Sequence, residues 1–164
     1  MRYKDIHDKP KAIEPTRGTP VLHGDGFDGY MVEDQVGFLM RRANQRHTAI
    51  FQDLMAGVEL TPTQFTALIK VAEIGRVTQN HLGRLTAMDP ATIQGVVRRL
   101  IDRDLVSRTA DPLDRRTIVL APTQAGLALA RQAVVAARRI TGATLDPLTP
   151  EERLQLVSLL RKVS

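Results

Sequence analysis

The run Met88–Asp104 constrains this chain more than any other stretch. Asp89-Pro90 marks a helix start: an aspartate side chain accepts from the free N–H groups of the first turn, and proline loses nothing at the first helical position. Ile93, Val96, Val97 and Leu100 then recur at i, i+3, i+4 and i+7, which gives the helix one apolar face. The opposite face carries Thr92, Gln94, Gly95, Arg98 and Arg99. Hydroxyl, amide and guanidinium side chains of this kind reach base edges and phosphates in a major groove. Any surface helix also turns a polar face to water, so the neighbouring segments have to decide.

Those neighbours favour nucleic acid. Upstream, Thr61-Pro62-Thr63-Gln64 is a capping box with proline at the first position. The helix it starts repeats Phe65, Leu68, Ile69 and Ala72 at core spacing, and Gly75 closes it. Thr78 caps a short helix, Thr78–Leu85, expected to bury Leu82 and Leu85, with Gly83 allowing close approach of a neighbouring backbone. A turn through Thr86, Ala87 and Met88 joins it to the helix above. Two short helices joined this way, the second polar outward, make a helix-turn-helix. Thr78 and Gln79, at a helix N-terminus, suit a phosphate. Downstream, Leu105–Thr109 and Thr117–Leu120 read as the strands of a hairpin with a charged tip, a wing. Arg115 and Arg116 at that tip suit a narrow minor groove, and Asp114 can pair with Arg116 and orient it. A charged turn is usually a solvated loop; beside a helix-turn-helix, DNA contact is the better reading.

The flanks read differently. Residues 1–29 form an irregular arm broken by Pro10, Pro15, Pro20 and four glycines. Gly24–Gly29 spells G-x-G-x-x-G, but two acidic residues stand where a pyrophosphate would lie and the following stretch reads as helix, not as a βαβ unit. A hinge is the better account. From Met31 to about Gly57 a long helix carries Val36, Met40, Ala43, His47, Ile50, Phe51 and Leu54 on one stripe. His47 on such a stripe is ordinarily a hydrogen-bonded core histidine. Thr123 starts another long helix, with Leu127, Ala130, Val134 and Ala137 on one stripe. Thr149-Pro150 caps a last one, with Leu156, Leu159, Leu160 and Val163 on one face. Apolar stripes outside a compact winged domain need a partner to cover them, so a homodimer is expected.

Composition narrows the classes further. The 164 residues include no cysteine, which removes disulfides, a thiolate nucleophile and cysteine-based zinc sites. The four histidines show no metal-ligand spacing, no nucleophile or paired-carboxylate motif is present, and neither enzyme chemistry, metal nor cofactor is expected. A net charge of +5 agrees with a polyanionic partner. No apolar run approaches the ~20 residues needed to span a bilayer, and the first residues lack the apolar core of a signal peptide; a cytoplasmic location is expected.

Leu60–Gly126 resembles the winged-helix domain of MarR-type (multiple antibiotic resistance) transcriptional regulators. Asp111–Gly126 is similar to the family's wing signature, D-x-R followed by five residues and L-T-x-x-G, with Asp114, Arg116, Thr123 and Gly126 in register. Pro122 stands where the family has leucine, and Pro90 and Gly95 stand where arginine is frequent. The resemblance implies an obligate homodimer that places two recognition helices on a pseudo-palindromic, double-stranded operator and is released by a small aromatic anion. Within the family, Thr78–Leu100 is most similar to regulators of nicotinate degradation, which implies a pyridine carboxylate such as 6-hydroxynicotinate.

The expected fold is mainly α with a small β-hairpin wing. Residues 59–122 would form the winged helix-turn-helix, and residues 30–58 and 123–164 a helical dimerisation region. Thr78, Gln79, Thr92, Gln94, Arg98, Arg99, Asp114, Arg115 and Arg116 are the candidates for DNA contact. Arg42, Arg46, His47 and Phe51, chosen for charge and position, are the candidates for a ligand pocket. The expected function is a ligand-responsive repressor. A constitutive architectural DNA-binding dimer and a protein-interaction winged helix remain open beside it.

Overall fold

Each helix that begins with a capping side chain and a proline at its first position starts where those residues dictate. The computed structural model describes residues 29–111 and 117–164. A 3-10 turn at Val32–Asp34 leads into α1 (Val36–Leu54). Helix α2 (Pro62–Ile74) opens on a complete capping box: the Thr61 hydroxyl accepts from the Gln64 N–H, and the Gln64 amide oxygen accepts from the Thr61 N–H. That second bond lets Gln64 lie in the core without a stranded polar atom.

Two residues after α2 the chain enters β1 (Val77–Thr78), and Thr78 then caps α3 (Gln79–Leu85) by accepting from the His81 N–H. Helix α4 (Pro90–Asp102) follows, and β2 (Val106–Ala110) and β3 (Ile118–Pro122) build the wing. The sheet has three strands in the order β1-β3-β2, both pairings antiparallel, with Val77 opposite Leu120 and Arg108 opposite Leu120 on the other side. The sequence predicts a two-stranded hairpin, Leu105–Thr109 and Thr117–Leu120. Two residues are too short to give a period-2 signal, and only their pairing with β3 makes Val77–Thr78 a strand.

Both helices of the helix-turn-helix end in the same motif. Ala87 after α3 and Asp104 after α4 take positive φ, and the next N–H reaches back to the third-last residue of the helix: Met88 to the Gly83 carbonyl at 3.0 Å, and Leu105 to the Leu100 carbonyl at 2.9 Å. These stops make the α3–α4 turn tight. Gly83 fits there because a Cβ would stand 3.3 Å from the Met88 carbonyl oxygen and 3.4 Å from Ile93 Cγ2.

The long α5 (Gln124–Leu145) runs from the wing across α2 and along α1, and α6 (Pro150–Val163) ends the chain. One core, with Leu68, Val71, Leu82, Leu100 and Leu120 almost inaccessible, joins α1, α2, the helix-turn-helix, the sheet and α5.

Several expected faces are rotated or open. On α2 the residues buried are Ala67, Leu68 and Val71 with Gln64, while Phe65, Ile69 and Ala72 are half-covered, in a helix on which both α4 and α5 pack. Leu85 is 42% exposed, since the chain turns away at Thr86 before anything covers it. On α1 the stripe is buried only towards its C-terminal end, where α5 lies; Val36 and Met40 remain 73% and 51% exposed. On α5 the fully buried positions are Gly126, Ala130, Ala133 and Ile140, with Leu127, Val134 and Ala137 half-covered. No residue of α6 is buried.

Candidate nucleic-acid interface and ligand-pocket residues

The outward face of α4 is built by its N-terminal cap. The Asp89 carboxylate accepts from the Ala91 N–H at 3.0 Å and the Thr92 N–H at 2.9 Å through one oxygen, and from the Thr92 hydroxyl at 2.5 Å through the other. The hydroxyl bond first, and then the backbone bonds, hold the Asp89 carboxyl below its usual range, so it stays ionised at neutral pH. With Ile93, Val96, Val97 and Leu100 buried, Thr92, Gln94, Gly95, Arg98 and Arg99 are left exposed together.

An open cleft of about 490 Å³ separates α4 from the sheet. Gln94 and Arg98 of α4, Gln79 of α3, and Arg108 and Ile118 of the wing strands line it. Three of the sequence candidates therefore share one surface. Arg98 Nε lies 3.8 Å from Asp102 Oδ2, an exposed one-turn pair that restrains the guanidinium only weakly. Thr92 and Arg99 lie on the other flank of the helix, at the 100° per residue expected of their positions. Thr78 sits half-buried in β1 with its hydroxyl already accepting the α3 cap bond, whereas Gln79 stands at the cleft. Asp114, Arg115 and Arg116 lie outside the described residues, as does most of the Gly24–Gly29 segment.

Arg108 was missed by the sequence reading. It occupies an exposed position on β2 and lines the cleft with Gln94 and Arg98. The alternation of a wing strand could have pointed to it, but β2 has only its first residue buried, and so shows no alternation to read.

The four ligand candidates all lie on α1. Arg46 donates to the Thr144 carbonyl at 2.6 Å and the Ala143 carbonyl at 3.0 Å, and His47 Nδ1 lies 3.0 Å from the Thr144 hydroxyl. These bonds tie α1 to the last turn of α5, where helix carbonyls lack intrahelical partners. Phe51 is buried and meets Phe65 edge-on, ring centres 5.9 Å apart. Arg42 is exposed. Arg46, His47 and Phe51 thus lie along the α1 surface that faces the core and α5, and exposed Arg42 stands one turn before Arg46.

Among the described residues no cluster of metal-ligating side chains occurs, and no helix is long and apolar enough to cross a membrane.

A family model described as the MarR family matches residues 59–117. The HTH-type transcriptional repressor NicR of Pseudomonas putida is 42% identical over 134 residues, covering 82% of this chain and 85% of that protein. Among solved structures, a probable transcriptional regulator from Pseudomonas aeruginosa superposes with a TM-score of 0.79 at 46% identity, over 82% of this chain and 100% of that one. Bordetella bronchiseptica BpsR, whose DNA binding is regulated by 6-hydroxynicotinic acid, superposes with a TM-score of 0.79 at 41% identity, over 82% and 96% of the two chains.

Proposed function

The chain belongs to the MarR family of transcriptional regulators, and from that premise we propose that it is a dimeric repressor released from its operator by a pyridine carboxylate such as 6-hydroxynicotinate. The observation that carries the effector class is the likeness, at 41% identity along nearly the whole fold, to a regulator whose DNA binding responds to 6-hydroxynicotinic acid. Likeness at 42% identity to a repressor supports the sign of regulation.

The mechanism follows from the layout. Each protomer offers α4 to a major groove, with Gln94, Arg98 and Thr92 towards base edges, and Arg99, Gln79 and Arg108 towards the backbone. The sequence assigns Arg115 and Arg116 to the adjacent minor groove, with Asp114 as a partner for Arg116. Two such helices serve half-sites ~34–36 Å apart only if the dimer holds them at that spacing. The exposed apolar residues of α6 and of the start of α1 are the surfaces a second copy covers.

Helix α5 transmits the spacing, because one end carries the wing and the other is tied to α1 through Arg46 and His47. An aromatic anion that binds between α1 and α5 near Arg46 competes for that guanidinium and favours another spacing. A preference of ~1–3 kcal/mol between the two spacings changes occupancy by one to two decades.

Fluorescence anisotropy on DNA from the intergenic region beside the gene, against a scrambled duplex, at two salt concentrations and with or without 6-hydroxynicotinate, tests this. Selective binding abolished by the ligand is the expected result. Selective binding that ignores the ligand leaves a regulator with another effector or none, and unselective binding removes the operator mechanism.

A further inference from the structure

Thr92 stands in the first turn of α4, exposed, on the face offered to DNA in the function proposed above, on which this inference rests. Its hydroxyl lies 2.5 Å from Asp89 Oδ2, while Asp89 Oδ1 holds the N–H groups of Ala91 and Thr92. Both carboxylate oxygens are thereby acceptors. An ionised carboxylate has no hydrogen to give, so the hydroxyl proton must point at Asp89. What Thr92 turns outward is then an oxygen with lone pairs only, beside its methyl group.

We infer that Asp89 is a positioning residue for base specificity: by taking the Thr92 proton it makes Thr92 an obligate hydrogen-bond acceptor towards the major groove. In that groove adenine N6 and cytosine N4 are donors, whereas guanine O6 and N7 and thymine O4 are acceptors. A lone-pair-only oxygen therefore selects the amino-bearing bases, adenine or cytosine, on the strand it faces. It repels the keto-bearing bases, guanine and thymine. A freely rotating hydroxyl would accept either class and select nothing.

The same geometry says how to invert the preference. In Asp89→Asn the amide oxygen must still accept from the Ala91 and Thr92 N–H groups, so its NH₂ faces the Thr92 oxygen. The NH₂ then donates, and the hydroxyl proton turns outward to the DNA. Asparagine caps as well as aspartate, so the helix start is kept while the polarity of Thr92 reverses.

The test is selection from a randomised duplex library, then anisotropy on the selected duplex with each base substituted in turn. Wild type, Asp89→Asn, Thr92→Ser and Thr92→Val are compared, with helix content checked by circular dichroism. Wild type and Thr92→Ser are expected to prefer an amino-bearing base at one position per half-site by roughly three- to tenfold. Asp89→Asn is expected to prefer a keto-bearing base there, and Thr92→Val to lose the preference. Removing a negative charge also raises affinity for all duplexes, so the ratio between bases at that position is the readout. If Asp89→Asn changes every affinity alike and leaves the order of bases intact, the inference is overturned. If wild type selects no sequence, the regulator reading fails and takes this inference with it.

Discussion

Gly126, in the first turn of α5, lies directly on the backbone of Leu105, where the chain enters the wing: a Cβ at 126 would stand 1.9 Å from the Leu105 carbonyl oxygen. The same carbonyl accepts from the Thr123 N–H at 3.1 Å, and the Thr123 hydroxyl donates to the Asp104 carbonyl at 2.6 Å while accepting from the Gly126 N–H. One cap therefore starts α5 and fastens it to the stem of the wing. Backbone cannot swing aside as a side-chain end can, so Gly126→Ala should cost about 3 kcal/mol, at or above the upper end for overpacking, read as a lower midpoint in urea. Gly142→Ala, in the same helix with open space around its Cβ position, should be neutral or stabilise by about 0.5–1 kcal/mol. Equal effects of the two would refute the docking role of Gly126.

Gln94 and Arg108 share a cleft yet should fail in different ways. Arg108→Ala is expected to weaken binding to all duplexes alike and to lower the slope of log K against log salt by about 1. Gln94→Ala should relax the choice at one base pair by about 1–3 kcal/mol with little change in salt slope. The pair of salt titrations decides, and a specificity change from Arg108→Ala would move that arginine from phosphate to base.

Leu159 and Leu160 are 50% and 45% exposed on a helix with no buried residue. A charge placed there has nothing to disrupt inside one protomer. Leu160→Glu should therefore leave secondary structure unchanged and shift the particle from dimer to monomer in sedimentation equilibrium, with operator affinity falling alongside. A Leu160→Glu dimer as tight as wild type would remove α6 from the interface.

Asp89 supplies the pH dependence of the recognition helix. Its folded pKa is lowered, chiefly by the Thr92 hydroxyl, so its contribution is present above the unfolded carboxylate range and fades as pH falls through the lower folded value. Operator-free protein should lose this contribution only below about pH 4. Asp89→Asn should flatten that part of the acid limb while keeping the cap, as followed by helical circular dichroism against pH. An unchanged acid limb would mean that the carboxylate gains nothing from its bonds.

Much of the helix-turn-helix was legible because its signals are local. Thr61 and Thr149 with their partners three residues on, Asp89 with Pro90, and the i, i+3, i+4, i+7 run from Ile93 to Leu100 act within a turn or two of the chain. What escaped depended on segments distant in sequence. Val77–Thr78 is a strand only because Leu120 and Val119 lie opposite, and Arg108 joins Gln94 only because β2 folds back beside α4. In the sequence Arg46 stands out only by its charge, because its partners, the carbonyls of Ala143 and Thr144, lie almost a hundred residues away.

By itself, then, the sequence determined where helices begin and which face of α4 is polar, since capping and periodicity are properties of neighbouring residues. It also determined the resemblance of Leu60–Gly126 to the MarR family. Tertiary structure alone decided which half of the α1 stripe is covered, that Gly126 has no room for a methyl group, and that Arg46 and His47 brace the end of α5. Burial and long-range hydrogen bonds depend on what the fold brings alongside a residue, and no stretch of chain carries that information alone.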